Sequence, residues 1–166
     1  KDVGSTPTYN ASMYFGRGAY FNGVDQKINF ETSEPFNNLG SFAFTFKTSS
    51  VIKNVCMFSN RISNNRLYLN LINGKLRLGL GSGFVLIPFS LLSNTIYKVI
   101  ISFYNGNYTF VINESEFQGS YTGIIDEQYF TLNNTEKYPQ YTDAYIYKDI
   151  CSFNRLLTTT EKDSYT

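Results

Sequence analysis

The chain has 166 residues, enough for one domain that buries about 70% of its unfolded surface. It is 42% hydrophobic and 17% aromatic with only 16% charged residues, which excludes disorder. The net charge is +1 with no run of Lys or Arg, so nothing marks a nucleic-acid or anionic-membrane partner, and the absence of His rules out Ser-His-Asp and Cys-His catalysis.

Residues Lys1 to Ser12 are polar and without period, and read as an N-terminal arm of a single domain that spans 1–166. Met13 to Phe15 and Ala19 to Phe21 are short aromatic strand candidates, split by Gly16-Arg17-Gly18. Gln26 to Phe30 is a third strand, and Glu31 to Gly40 a loop marked by Pro35 and Asn37-Asn38. From Ser41 to Thr48 the pattern alternates, with Phe42, Phe44 and Phe46 inward and Ala43, Thr45 and Lys47 outward. Val55 to Ser59 is a short buried strand, and Asn60 to Asn65 a polar loop.

Arg66 to Gly81 predicts a hairpin. Asn73-Gly74 suits a two-residue turn in which both residues need φ > 0. Ile72 then faces Lys75, Leu71 faces Leu76, Leu69 faces Leu78 and Leu67 faces Leu80. Six leucines fall on one face. The other face collects Arg66, Tyr68, Asn70, Lys75 and Arg77 with Gly79 and Gly81. Phe84 to Pro88 is one more strand. The most apolar run, Phe84 to Leu92, is short and carries Pro88, so it cannot span a bilayer.

Tyr97 to Ile112 repeats the hairpin logic around Asn105-Gly106, but both faces are partly apolar, which predicts a cover over Ile100 and Val111. Glu114 to Asp126 is loop-rich, Tyr129 to Leu132 a short strand, and Asn133 to Tyr141 a polar loop. Asp143 to Phe153 is the last strand. Leu157 to Tyr165 predicts a short helix, with Thr158 as N-cap and Glu161 at capping-box spacing. Short strands with regular turn signals predict an all-β, antiparallel two-sheet jelly-roll sandwich. Cys56 and Cys151 are too few for a disulfide scaffold and read as two buried thiols, with a single bridge left open if their strands are neighbours.

The order of motifs resembles the laminin G-like, concanavalin A-like lectin domains. Gly18 to Gly23 stands where that family has a strand ending in Phe-Asp-Gly, and Phe42 to Thr48 where it has an "fTisfwvkt" strand. Leu71 to Gly83 is similar to its "L-x-dG-x-L-x-x-x-x-LGSG", with Leu80-Gly81-Ser82-Gly83 identical. Asn94 to Phe103 and Phe110 to Glu114 match its "dgkWHhvavty" and "lyVDG" segments, and Asp149 to Glu161 its terminal "dvriyNRaLsaeE". The Trp-His pair is Ile96-Tyr97 here, and the aspartate of Phe-Asp-Gly is Asn22. The resemblance implies a jelly roll of two curved sheets. In its calcium-binding members an Asp before the "yLaLeL" strand ligates the ion. Asn65 stands at that position as the one candidate metal ligand, a neutral group where calcium prefers carboxylates, so calcium is an uncertain cofactor.

Carboxylate pairs for glycoside hydrolysis are Glu114 and Glu116, placed on one strand face, and Asp126-Glu127 in a loop. The E-x-D-x-x-E string of glucanase relatives does not occur. The expected function is therefore non-catalytic recognition of a glycan or glycosylated partner outside the cell. The candidate site is Tyr68, Asn70 and Arg77 with Lys75 and Arg66, an aromatic ring beside hydrogen-bonding groups. The rival reading is that Tyr68 only covers the bare backbone of Gly79. Rim loops at Asn60 to Asn65, Leu80 to Gly83 and Asn133 to Tyr141 are the alternative ligand contacts. A structural domain of a phage or viral fibre or a filament is the second reading of function, with other subunits of that assembly as partners. A glycoside hydrolase is the third. Asn10, Asn107, Asn113 and Asn133 begin N-x-S/T sequons, frequent by chance in an Asn-rich chain. The absence of Met at position 1 reads as a mature form or a piece of something longer, located extracellularly, at a cell surface or on a virion.

Overall fold

A computed structural model of the chain describes residues 8–13, 16–21, 28–32, 34–47, 54–60, 66–132 and 146–165. They form two antiparallel sheets packed as a jelly-roll sandwich, with one short helix. In chain order the strands are β1 (Thr8–Met13), β2 (Gly16–Tyr20), β3 (Ile28–Glu31), β4 (Leu39–Lys47), β5 (Val55–Asn60), β6 (Arg66–Ile72) and β7 (Lys75–Gly81). They continue with β8 (Gly83–Ile87), β9 (Ile96–Tyr104), β10 (Asn107–Ile112), β11 (Ser115–Ser120), β12 (Tyr129–Leu132) and β13 (Ile146–Phe153), and helix α1 (Thr159–Tyr165) follows. The seven-stranded sheet runs β1-β2-β13-β4-β9-β10-β11, and the six-stranded sheet β3-β12-β5-β6-β7-β8.

Both Asn-Gly turns have the predicted geometry. Asn73 and Gly74 have φ of 50° and 74°, Asn105 and Gly106 of 47° and 77°. The β6–β7 register pairs Leu67 with Leu80, Leu69 with Leu78 and Leu71 with Leu76, as read from the sequence. All six leucines are buried. Opposite them the inward side chains of β4 form an aromatic layer, in which Phe42 stacks on Phe58 at 4.7 Å and Phe44 meets the same ring at 5.7 Å. A bulge in β5 turns both Met57 and Phe58 into this core, so Cys56 and Ser59 lie on its outer face. Cys56 belongs to the six-stranded sheet and Cys151 to the seven-stranded one, and the two are not joined in a disulfide. Cys56 is buried as expected, whereas Cys151 is only partly so.

Two expectations need correction. Residues 8–12, read as part of an arm, join Met13 in edge strand β1, which pairs with β2, and Gly16 to Gly18 belong to β2 instead of splitting the strands. Edge strands need little apolar content because one side of the ladder is open, so polarity misleads there. Ser115 to Ser120, within a stretch read as loop-rich with weak strand character, is edge strand β11. Its inward positions are Phe117 and Gly119, and Tyr108 covers the glycine. Ala43 and Thr45 point outward from β4 yet are buried.

The C-terminal segment explains the burial of Ala43. Leu157 packs on Ala43, Ile100 and Val111, which is the cover predicted from the apolar outer face of the second hairpin. Its backbone N–H donates to Ser41 Oγ at 3.2 Å, and Ser41 meets Ser102 Oγ at 3.0 Å. Helix α1 begins on the predicted capping box. Glu161 N–H donates to Thr158 Oγ1 at 3.3 Å, and Thr158 N–H donates to the Glu161 carboxylate at 2.9 Å. Arg155 clamps the same carboxylate at 2.6 and 2.8 Å.

Candidate functional site

The site region is the outer face of β6, β7 and β8. The Asn73-Gly74 turn places Tyr68 opposite Gly79 and Asn70 opposite Arg77. The two-residue turn at Gly81-Ser82 then places Phe84 beside Gly79 and Leu86 beside Arg77. Two cross-strand rungs result. One is Thr131, Ser59, Tyr68, Gly79 and Phe84, and the other is Cys56, Asn70, Arg77 and Leu86. The face is not uniformly open. Thr131, Ser59 and Cys56 are buried, whereas Phe84 and Leu86 on edge strand β8 are 48% and 56% exposed. The accessible part is therefore shifted from β6 towards β7 and β8.

Two aromatic arrangements define it. The Tyr68 ring lies directly over Gly79, where its Cδ1, Cε1 and Cζ occupy the space a Cβ would take. The Arg77 guanidinium stacks on Phe84, with Cζ 3.4 Å from the ring centroid. Cation and ring face attract through the ring quadrupole, by about 0.5–1 kcal/mol at an exposed position. Among the described residues Arg77 makes no hydrogen bond or ion pair. Its Nε is buried without a partner, and so is Oδ1 of the facing Asn70. An unpartnered donor and acceptor thus stand on facing residues, each a cost of about 1–3 kcal/mol while unmade.

Of the five side chains named from sequence, Tyr68, Asn70 and Arg77 come together on two adjacent rungs. Lys75 is exposed near the turn, opposite Ile72. Arg66 pairs with Gly81 through its backbone, and its side chain lies outside the described residues, as does Asn65. Phe84 is the residue the sequence reading missed. The signal was present, because a two-residue turn at Gly81-Ser82 sets Phe84 on the outer face. Among the described residues no group of three or more His, Cys, Asp or Glu could hold a metal ion.

The Leu80-Gly81-Ser82-Gly83 motif has a structural occupation. Gly81 has φ of 56°, and Ser82 N–H donates to Thr122 O at 2.8 Å. The Ser82 and Thr122 hydroxyls meet at 2.9 Å. A Cβ at Gly81 would collide with Thr122 O, so this corner admits only glycine. Of the rim loops expected at Asn60 to Asn65 and Asn133 to Tyr141, only Asn60 lies within the described residues. Asn60 pairs with Phe130, but Leu132 pairs with Phe58, further along β5.

The carboxylates named from the sequence do not line up on one strand face. Glu114 sits in the turn before β11, so it does not share a strand face with Glu116. Glu116 accepts from Gln118 Nε2. Glu127 is buried and accepts from the backbone N–H of Gln128 at 3.1 Å and of Tyr129 at 3.3 Å, and from Asn60 Nδ2 at 3.3 Å. Asp126 accepts from Asn37 N–H at 3.3 Å. These are loop-fastening contacts. No described helix is long and apolar enough to cross a membrane.

No protein-family model and no curated protein matches the sequence. Solved structures do. The chain is similar to the receptor-binding domain of botulinum neurotoxin D, with a TM-score of 0.76 and 14% identity over 99% of this chain and 46% of that one. It is similar to domain 4 of AbnA, a GH43 extracellular arabinanase from Geobacillus stearothermophilus solved with arabinotriose, with a TM-score of 0.72 and 18% identity over 98% of this chain and 82% of that one. A pentraxin from Limulus polyphemus aligns with a TM-score of 0.60 and 15% identity over 80% of this chain and 71% of that one. At these identities the shared property is the jelly-roll fold. The chain spans less than half the length of the toxin receptor-binding domains that it matches.

Proposed function

We propose that the chain is a non-catalytic recognition module of the laminin G type that binds carbohydrate, free or on a glycosylated partner, in an extracellular setting. One observation carries this reading: the Arg77 guanidinium, without a polar partner among the described residues, lies over the half-exposed Phe84 ring. Phe84 offers an apolar face to sugar C–H groups, and Arg77 offers donors to hydroxyls or a carboxylate. Tyr68 and Asn70 flank them, with Lys75 near the turn and Arg66 opposite Gly81 in the strand register. The fold neighbours support the class, since one was solved with arabinotriose and others are receptor-binding domains.

The test is a glycan array followed by titration of the bound glycan into single variants. Arg77→Ala and Tyr68→Ala should each weaken binding about tenfold, the scale of one lost anchor contact, while the urea midpoint of Arg77→Ala stays near that of the parent. Unchanged affinity in both variants refutes this site. A second reading, a subunit of a fibre or other assembly, draws on the exposed Phe84 and Leu86 along edge strand β8, where another chain could pair. Concentration-dependent oligomers that disappear in Leu86→Lys would favour it.

A further inference from the structure

The outer face of the seven-stranded sheet carries a groove of about 660 Å³, on the opposite side of the sandwich from Arg77 and Phe84. Its floor includes Thr109 and Gln118, neighbours across β10 and β11. The next rung adds Tyr104 and Asn107, paired across the Asn105-Gly106 turn. Its wall is the C-terminal segment, through Leu157 and Lys162. That wall is fixed in place. Leu157 N–H is bonded to Ser41, and the Arg155–Glu161 clamp and the capping box hold the start of α1. Gln118 Nε2 donates to Glu116, which leaves its amide oxygen as an acceptor.

The chemistry of the lining is selective. Hydroxyl and amide groups on the floor match a ligand rich in hydroxyls. Tyr104, 49% exposed, supplies a flat apolar face at the mouth. Among the described residues that line it, Lys162 is the one charged side chain, a point charge suited to a monoanion. The volume falls within the range of about 300–1,000 Å³ typical of small-ligand sites. We propose that this groove is a second carbohydrate site that takes an acidic sugar, with hydroxyls on Asn107, Thr109 and Gln118, the ring on Tyr104 and the carboxylate at Lys162. It is separate from the site proposed above and stands or falls independently.

The experiment is a 1H–15N NMR titration of the full chain with a panel of acidic and neutral trisaccharides: uronate-containing, sialylated and uncharged hexose. An acidic member should shift the amides of Thr109, Gln118 and Lys162. Lys162→Gln should abolish its advantage over the neutral analogue, about tenfold for one lost charge-assisted contact. Tyr104→Ala should weaken all groove binding. Arg77→Ala should leave the groove shifts intact, which distinguishes this site from the one on the six-stranded sheet. Equal binding of acidic and neutral sugars, shifts confined to the Arg77 face, or no shifts across the panel would each overturn the proposal.

Discussion

Gly79→Ala separates the two roles open to Tyr68. Gly79 has no left-handed φ, so alanine fits its backbone. The obstacle is the Tyr68 ring, whose atoms fill the space of the new methyl group. The ring must swing away from the sheet. Overpacking of this kind costs about 1–3 kcal/mol. The reduced entropy of the unfolded chain returns about 0.4–1 kcal/mol. The net expectation is a loss of about 0.5–2 kcal/mol, which for a chain of this length lowers the melting temperature by roughly 2–6 °C. In a Tyr68→Ala background the obstacle is gone, and Gly79→Ala becomes neutral or slightly stabilising. Urea denaturation of the four proteins in a double-mutant cycle should therefore return a coupling of about 1–2 kcal/mol. Effects that add within about 0.5 kcal/mol would refute the geometric argument. The same variant informs binding. If Tyr68 serves only as cover for the glycine, Gly79→Ala displaces the ring without loss of affinity. If the ring contacts ligand, affinity falls with it.

Two further expectations concern titrating groups. The Arg155 guanidinium, helped by the Thr158 N–H and hydroxyl, holds the Glu161 carboxyl down to about 2. Because the folded value lies below the ordinary 4.5, this contribution is present above that pH and is lost as pH falls towards 2. The melting-temperature gap between the parent and Glu161→Gln should therefore narrow across that window, and a constant gap would refute the clamp. Burial pushes the Cys56 thiol up to about 12 from 9.0, so its contribution to stability is present below pH 9 and disappears as pH rises towards 12. In the native protein a thiol reagent should label Cys151 and spare Cys56. Native labelling that persists in Cys151→Ala would show that Cys56 is not sealed.

Much of the candidate site was legible in the sequence. Local turn chemistry and the leucine period agree on one register, and that register sets Tyr68 against Gly79 and Asn70 against Arg77. Phe84 was within reach by the same reasoning applied to Gly81-Ser82. What was not legible is which of these groups solvent can reach. Ser59, Thr131 and Cys56 share the outer face with Arg77 but are buried. Burial on an outer face depends on parts of the chain remote in sequence, and period alone carries no information about them. Strand β11 was hidden for a related reason. Its inward glycine is completed by Tyr108 from the neighbouring strand, so the strand's own residues lack the alternation that would reveal it.

The sequence by itself determined the two hairpins, the aromatic layer of Phe42, Phe44 and Phe46, the capping box at Thr158 and the all-β class. Each rests on interactions between residues close in the chain or on period-two burial. Only the tertiary structure decided the order of strands in the two sheets, the docking of Leu157 over Ala43, Ile100 and Val111, and the position of the groove beside Lys162. Those features join elements separated by most of the chain. They depend on which surfaces remain apolar once every local pairing is made, and that is settled only when the sheets and the C-terminal segment pack together.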